Sequence, residues 1–105
     1  MFFLKPKKKI RHGLKEYKET PGAVLVDVRD PDEYKVAHIP GSVNVPLARL
    51  RRIGSVVPDP DTPVFVYCLS GARADKAAKR LEKKGYTNVK SIGGINTYDG
   101  RIERH

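Results

Sequence analysis

Val64-Phe65-Val66-Tyr67-Cys68-Leu69-Ser70-Gly71-Ala72-Arg73 joins an apolar run to the start of a helical pattern. The run Val64 to Tyr67 is β-branched and aromatic throughout, the composition of a strand covered on both faces. From Arg73 to Lys84 the apolar residues Ala74, Ala77, Ala78 and Leu81 recur at i, i+3, i+4 and i+7, which predicts an amphipathic helix. Asp75 and Lys79 are spaced to pair on its surface, and Gly85 suits the residue just past its end. Cys68, the only cysteine, therefore stands at a strand-to-helix turn. There it faces the positive end of the helix dipole and free backbone N–H groups, a setting that favours the nucleophilic thiolate. The ordinary fate of a free cysteine is to act as a small buried hydrophobe. The strand-end position, Gly71 and Arg73 favour the chemical role.

Outward from this unit the same alternation recurs. Ala23 to Val28 is an apolar run broken only by Asp27, again a two-sided buried strand. Asp30, Pro31 and Glu33 supply an N-cap, a first helical residue and the distal half of a capping box. Ile39-Pro40-Gly41 stops that short helix, and Ser42 to Val45 reads as a short strand ended by Pro46. Leu47, Leu50 and Ile53 mark one face of another short helix, with Arg49, Arg51 and Arg52 outside. Val57 to Pro63 is a stiff proline-rich loop. Val89 to Ile92 is the last strand candidate, followed by Gly93-Gly94. At the other end, Lys9 to His12 reads as a short edge strand and Gly13 to Glu19 as a weak helix. Strands alternating with helices imply an α/β fold with a mostly parallel, doubly wound sheet. Ligands in such sheets bind at the carboxyl ends of the strands, where Cys68 lies.

At 105 residues the chain is expected to form one domain over residues 10–105, preceded by a flexible basic arm over residues 1–9. Hydrophobic content is 39% without tryptophan, so the core must be mainly aliphatic. No run reaches transmembrane length, and Met1-Phe2-Phe3-Leu4 is too short for the apolar part of a signal peptide. One cysteine cannot form an internal disulfide, so a reducing compartment, the cytoplasm, is the expected location. The net charge is +9, with Lys5, Lys7, Lys8, Lys9, Arg11, Lys15 and Lys18 in the first twenty residues against Glu16 and Glu19. No aromatic residues interleave with the basic ones in a stacking pattern and no recognised nucleic-acid motif appears, which argues against a nucleic-acid surface. The positive field instead draws small anionic substrates toward the domain. One cysteine and the scattered His12, His38 and His105 do not make a metal site, and no cofactor is expected.

Four residues separate Cys68 from Arg73. Gly71 lets the backbone curl so that several N–H groups face one anion. A thiolate held ionised in this way needs no separate general base. Arg73 offers a fixed fork for an oxyanion such as a sulfonate or phosphate. Ser70 either donates to the sulfur or caps the helix; the sequence does not separate the two.

The ordered set of three segments resembles the single-domain rhodaneses, a family of sulfurtransferases. They are Val26 to Tyr34, His38 to Leu47, and Tyr67 to Arg73 with Gly93-Gly94 beyond, spanning roughly residues 10–100. The resemblance implies a three-layer α/β fold with a central, mainly parallel five-stranded sheet flanked by helices. It implies Cys68 as the carrier of sulfur in a persulfide, with Leu69, Ser70, Gly71, Ala72 and Arg73 binding the substrate. The expected donor is a small anion such as thiosulfate, and the acceptor is a thiol or cyanide. Loop N–H groups would stabilise the anionic sulfur, and Arg73 would hold the donor's sulfonate. Asp27 and Arg29 are expected to hydrogen-bond beneath the loop, and His38 to satisfy a backbone group. Gly93 and Gly94 are expected to be structural, and Tyr98 to line the pocket or close the core. Cysteine-dependent phosphatases need C-x5-R to encircle a tetrahedral phosphate, whereas this loop is C-x4-R. Leu69 stands where some family members carry Tyr or a basic residue. With no second cysteine, sulfur must leave to an external acceptor. The alternatives are a persulfide carrier fed by a protein donor or acceptor, and a thiol redox sensor.

Overall fold

The two longest apolar runs become the two central strands of a parallel sheet. β1 (Val24–Asp27), β2 (Ser42–Asn44), β3 (Val64–Cys68) and β4 (Val89–Gly94) lie in the order β2-β1-β3-β4 in the computed structural model, which describes residues 8–105. Every pairing is parallel, with Val24 opposite Val64, Leu25 opposite Ser42 and Val64 opposite Val89. All five β3 residues are buried, because layers cover both faces. The strand order reverses direction between β1 and β3, so the crevice above their carboxyl ends is the expected ligand position.

Side chains alternate across the sheet into two cores. One face sends Val26, Val28, Val64, Val66 and Cys68 toward α4 (Ala72–Lys83) and toward the 3₁₀ turn Leu47–Arg52 that runs into α3 (Ile53–Val56). Ala74, Ala77, Ala78 and Leu81 are the buried residues of α4, and three of the four are small enough to let the helix lie close to the sheet. A fully buried aliphatic such as Leu81 contributes about 2 kcal/mol by leaving water. The helix ends where Gly85 adopts φ +104°. Tyr86 N–H then reaches the Leu81 carbonyl at 3.1 Å, and Gly85 N–H reaches Glu82 at 3.0 Å. Asp75 does not pair with Lys79; its carboxylate accepts the Ser91 hydroxyl at 2.6 Å.

The other face carries Leu25, Phe65, Tyr67 and Ile92 against α1 (Ile10–Glu19). Here the edge strand expected at Lys9 to His12 is absent. Ile10 instead opens α1, so the sheet has four strands among the described residues, not five. Ile10, Leu14 and Tyr17, at i, i+4 and i+7, turn one helical face onto the core. Gly13 makes this possible, since a Cβ there would overlap Ile92. Ile10 N–H, unpartnered within the helix, donates to Thr97 Oγ1 at 3.0 Å. Thr97 lies in the 3₁₀ turn Ile95–Thr97 that follows β4.

Between β1 and β2, α2 (Pro31–Val36) begins at Asp30, and Asp30 N–H donates to Glu33 Oε2 at 2.9 Å. The strand after it is one residue shorter than expected, although Val45 N–H still donates to the Asp27 carbonyl of β1 at 2.9 Å. β4 is longer than expected and takes in Gly93 and Gly94. Of the basic arm expected over residues 1–9, residues 1–7 lie outside the described residues. Lys8 and Lys9 are exposed, and Lys8 Nζ donates to the Ser91 carbonyl at 2.8 Å. The radius of gyration is 13.2 Å, the size of one packed domain of about 100 residues. Among the described residues no helix is long and apolar enough to cross a membrane.

Candidate active site

Cys68 ends β3 and is 1% exposed. Its sulfur accepts the Gly71 N–H at 3.0 Å. Gly71 reaches that position only with φ +114°, a conformation open to glycine and strained for any other residue. It is also the N-cap of α4, so the unpaired N–H groups of the first helical turn begin beside the sulfur. Leu69, Ser70 and Ala72 are exposed at the rim, Leu69 at 46%. Among the described residues, no hydrogen bond joins the Ser70 hydroxyl to the sulfur or to the helix.

The loop rests on β4. Cys68 pairs with Gly94 across a register shift. Asn96 N–H donates to the Leu69 carbonyl at 3.1 Å. A Cβ on Gly71 would stand 3.6 Å from Gly93 Cα. Gly93 itself has φ +104°, with Lys8 pressed against its other side. Gly93 and Gly94 thus form the bare backbone platform on which the cysteine loop sits.

Arg73 is partly exposed and turns to α2. Its Nη1 donates to Glu33 Oε2 at 2.8 Å and its Nη2 to Glu33 Oε1 at 3.0 Å, a bidentate fork between α4 and α2. The Arg73 hydrogen bonds hold the Glu33 carboxyl down at about 2, against a smaller opposing effect of burial and with help from Asp30 N–H. Arg73 is raised in turn, chiefly by its hydrogen bonds to Glu33, with the nearby Cys68 contributing.

Asp27 and Arg29 are buried at the end of β1 and bond to each other rather than to the loop. Arg29 Nη2 lies 2.8 Å from Asp27 Oδ2 and its Nε 3.1 Å from both carboxylate oxygens. Arg29 Nη2 also donates to the Ala37 carbonyl at 2.6 Å. Burial opposes the Arg29 charge, but the bonds and charge of Asp27 outweigh it and raise the group. Asn44 Nδ2 ties the Asp27 and Arg29 carbonyls to β2 at 3.0 and 2.9 Å.

His38 stacks on Tyr34 at 3.7 Å, and its Nδ1 lies 2.8 Å from the Tyr34 carbonyl. Its backbone exchanges two 2.8 Å hydrogen bonds with Glu103. Tyr67 Oη accepts Ile39 N–H at 3.1 Å and meets Ser42 Oγ at 3.0 Å; burial first, then the charge of Asp27, pushes its phenol well up. Tyr98 lies partly buried against the α1 core and lines a 540 Å³ cavity with Leu14, Tyr17, Leu25 and Ile39, on the sheet face away from Cys68.

A model of the rhodanese-like domain matches residues 11–100. The chain belongs to the rhodanese-like family. It is 39% identical over 71 residues to the thiosulfate sulfurtransferase PspE of Escherichia coli K12, covering 67% of this chain and 68% of that protein. It is 38% identical over 89 residues to the thiosulfate:glutathione sulfurtransferase of Saccharomyces cerevisiae, covering 73% of this chain but only 64% of that one. The solved structure of a rhodanese with anions from E. coli superposes with a TM-score of 0.74 at 33% identity, over 79% of this chain and 99% of that one.

Within this rhodanese-like domain, two residues that shape the site, Asn96 and Glu33, and one that seats α1 on the sheet, Gly13, were not singled out for it in the sequence. Asn96 holds the loop through a backbone N–H, which carries no side-chain signature. Gly13 acts through α1, inside a helix where glycine reads only as a weakness. Glu33 was legible as a cap, but its partnership with Arg73 spans 40 positions. The one local sign is that a carboxylate has acceptor sites to spare after capping.

Proposed function

We propose that this domain is a sulfurtransferase that carries sulfane sulfur on Cys68 as a persulfide, between a donor such as thiosulfate or an organic persulfide and a thiol or cyanide acceptor. The observation that carries the reading is the Gly71 N–H directed at Cys68 Sγ from 3.0 Å at the head of α4. The Cys68 thiolate attacks the outer sulfur of thiosulfate. The S–S bond breaks, and sulfite leaves with the bonding pair. Backbone N–H groups of the Leu69 to Arg73 loop stabilise the anionic terminal sulfur, as an oxyanion hole does for oxygen. The acceptor then attacks that sulfur and releases the Cys68 thiolate. In this arrangement the loop backbone, rather than the Arg73 fork, supplies most of the anion's contacts. The family relationship supports the same chemistry, and a cytoplasmic location accords with a lone reduced thiol.

Intact mass tests the reading directly. The reduced protein is incubated with thiosulfate, and in parallel with an alkyl persulfide, beside Cys68→Ala. A gain of one sulfur atom on the native chain alone, removed by cyanide as thiocyanate, is expected. Equal gain on Cys68→Ala would overturn the assignment.

A carrier fed by a protein partner is the second reading. Leu69, apolar and 46% exposed at the rim of the loop, favours it, because such a residue suits a docking contact more than a small anion.

A further inference from the structure

We infer that the cavity between α1 and the chain beyond β4 is a second ligand site, shaped for a small aromatic carboxylate. It lies on the sheet face away from Cys68 and stands apart from the sulfur chemistry. Its volume is 540 Å³, inside the range of about 300–1,000 Å³ usual for small-molecule sites. Leu14, Leu25 and Ile39 give it a floor of buried apolar side chains. Tyr17 and Tyr98, each partly buried, also line it. Both rings are held by the fold itself. Tyr17 meets Phe65 edge-on, with ring centroids 5.8 Å apart. Tyr98 Oη donates to the Arg101 carbonyl at 2.6 Å, over the bare backbone of Gly100, where a Cβ would overlap the phenol. Rings fixed in this way offer an aromatic body contact area at little cost in side-chain freedom.

The rim supplies the charge. Arg11, Lys15 and Lys18 recur at i, i+4 and i+7, a basic stripe one position beyond the apolar stripe of Ile10, Leu14 and Tyr17. Arg101 adds a fourth cation, and Asp99 is the one acid on the rim. The carboxylates of α1 are engaged elsewhere, Glu19 with Lys15 at 3.8 Å and Glu16 with Lys90. Among the described residues Arg11, Lys18 and Arg101 make no ion pair. A row of cations alone would be an ordinary solvated face, but this one borders an apolar cavity with a spare hydroxyl in its wall. Of the five tyrosines, Tyr17 alone has a hydroxyl with no hydrogen-bond partner among the described residues. Charge also decides between occupants. A second copy carries the same net +9, and the chain's own Met1-Phe2-Phe3-Leu4 is followed by Lys5 and Lys7. Either would bring positive charge to a positive rim, whereas a carboxylate brings the opposite sign.

Amide-resolved NMR titration tests the site with two probes of one shape, naphthalene-2-carboxylate and the uncharged naphthalene-2-carboxamide. They are added to the native protein and to the double variant Arg11→Gln, Lys18→Gln, whose fold the same spectra report. The amides of Tyr17, Tyr98 and Arg101 should shift saturably with the carboxylate, with a Kd of about 1 mM or tighter, the scale for a ligand of this size. The double variant should weaken the carboxylate about fivefold, as expected for two exposed charge contacts, and the carboxamide less than about twofold. Equal binding of the two probes by the native protein would overturn the assignment to an anion. Shifts that fail to saturate, or that centre on the Leu69 to Arg73 loop, would overturn the site. So would proximity of Phe2 or Phe3 to Tyr98 in the free protein, or movement of the same amides on dilution, which would place the chain's own terminus or a second copy in the cavity. An acidic peptide, acetyl-Glu-Phe-Glu-amide, that bound more than about tenfold tighter than the carboxylate would reassign the surface to a protein partner.

Discussion

Gly94 and Leu69 lie backbone against backbone. A Cβ built on Gly94 would overlap the Leu69 carbonyl and stand 2.6 Å from Ser70 Cα. The conformation of Gly94, φ −134° and ψ 150°, is ordinary extended backbone, so the requirement for glycine is purely one of space. Neither contact atom belongs to a flexible side-chain end, and only a shift of the cysteine loop can make room. Gly94→Ala should therefore pull Gly71 N–H away from the sulfur. Losing one preorganised donor of this kind typically slows catalysis about 100-fold or more. Persulfide formation on Cys68, timed by mass, should fall on that scale while the circular dichroism spectrum stays that of the native fold.

Gly71 faces a different constraint. At φ +114° even alanine is strained, although space is available on its Gly93 side at 3.6 Å. Gly71→Ala should cost about 1–3 kcal/mol of stability from backbone strain. Urea unfolding would measure it, and a cost near zero would show that the loop relaxes to another conformation.

The buried pair of Asp27 and Arg29 predicts a larger effect. Both side chains are at most 5% exposed, and removing one leaves the other charged and unpaired. Asp27→Ala should destabilise the domain by about 3–5 kcal/mol. The loss should be visible as a lower urea midpoint.

Glu33 makes stability pH-dependent in a defined window. Its carboxyl falls from an ordinary 4.5 to about 2 on folding. A depressed folded value means that the stabilisation is fully present above about pH 4.5 and is lost as pH falls toward 2. The stability gap between the native protein and Glu33→Gln should therefore be constant from neutral pH down to that point and shrink below it. Chemical denaturation at pH 7, 5 and 3 would check this. A gap that persists undiminished at pH 3 would show that the carboxylate charge is not its source.

Ile10 tests the corrected N-terminal element. It is fully buried in α1, and Ile10→Ala should cost about 2–5 kcal/mol. An exposed edge strand at Lys9 to His12 would have predicted a change within about 0.5 kcal/mol. Thermal or urea unfolding distinguishes the two.

Much of the architecture was legible because it is encoded locally. The runs at Ala23 to Val28 and Val64 to Tyr67 are apolar without alternation, which only a two-sided strand explains. Ala74, Ala77, Ala78 and Leu81 repeat at helical spacing, and Gly85 ends that helix as its position suggests. Lys9 to His12 misled because four residues with one apolar side chain carry no period, and strand and helix look alike at that length. The assignment depended on Ile10 meeting Phe65 and Ile92, which are distant in sequence. Asp75 and Lys79 were well spaced, yet the Ser91 hydroxyl offered Asp75 a closer partner from the neighbouring strand.

The sequence by itself determined the alternation of strands and helices, the placement of the lone thiol at the end of β3, and the membership of the family. These follow from patterns within about ten residues, where propensity and periodicity act. Only the tertiary structure decided that α1 replaces a fifth strand, that Gly93 and Gly94 carry the cysteine loop, and that Arg73 is taken by Glu33. Each of these depends on groups brought together across the sheet. The physical reason is that hydrogen bonds and van der Waals contacts act over a few ångströms of space, while the residues making them are separated by tens of positions along the chain.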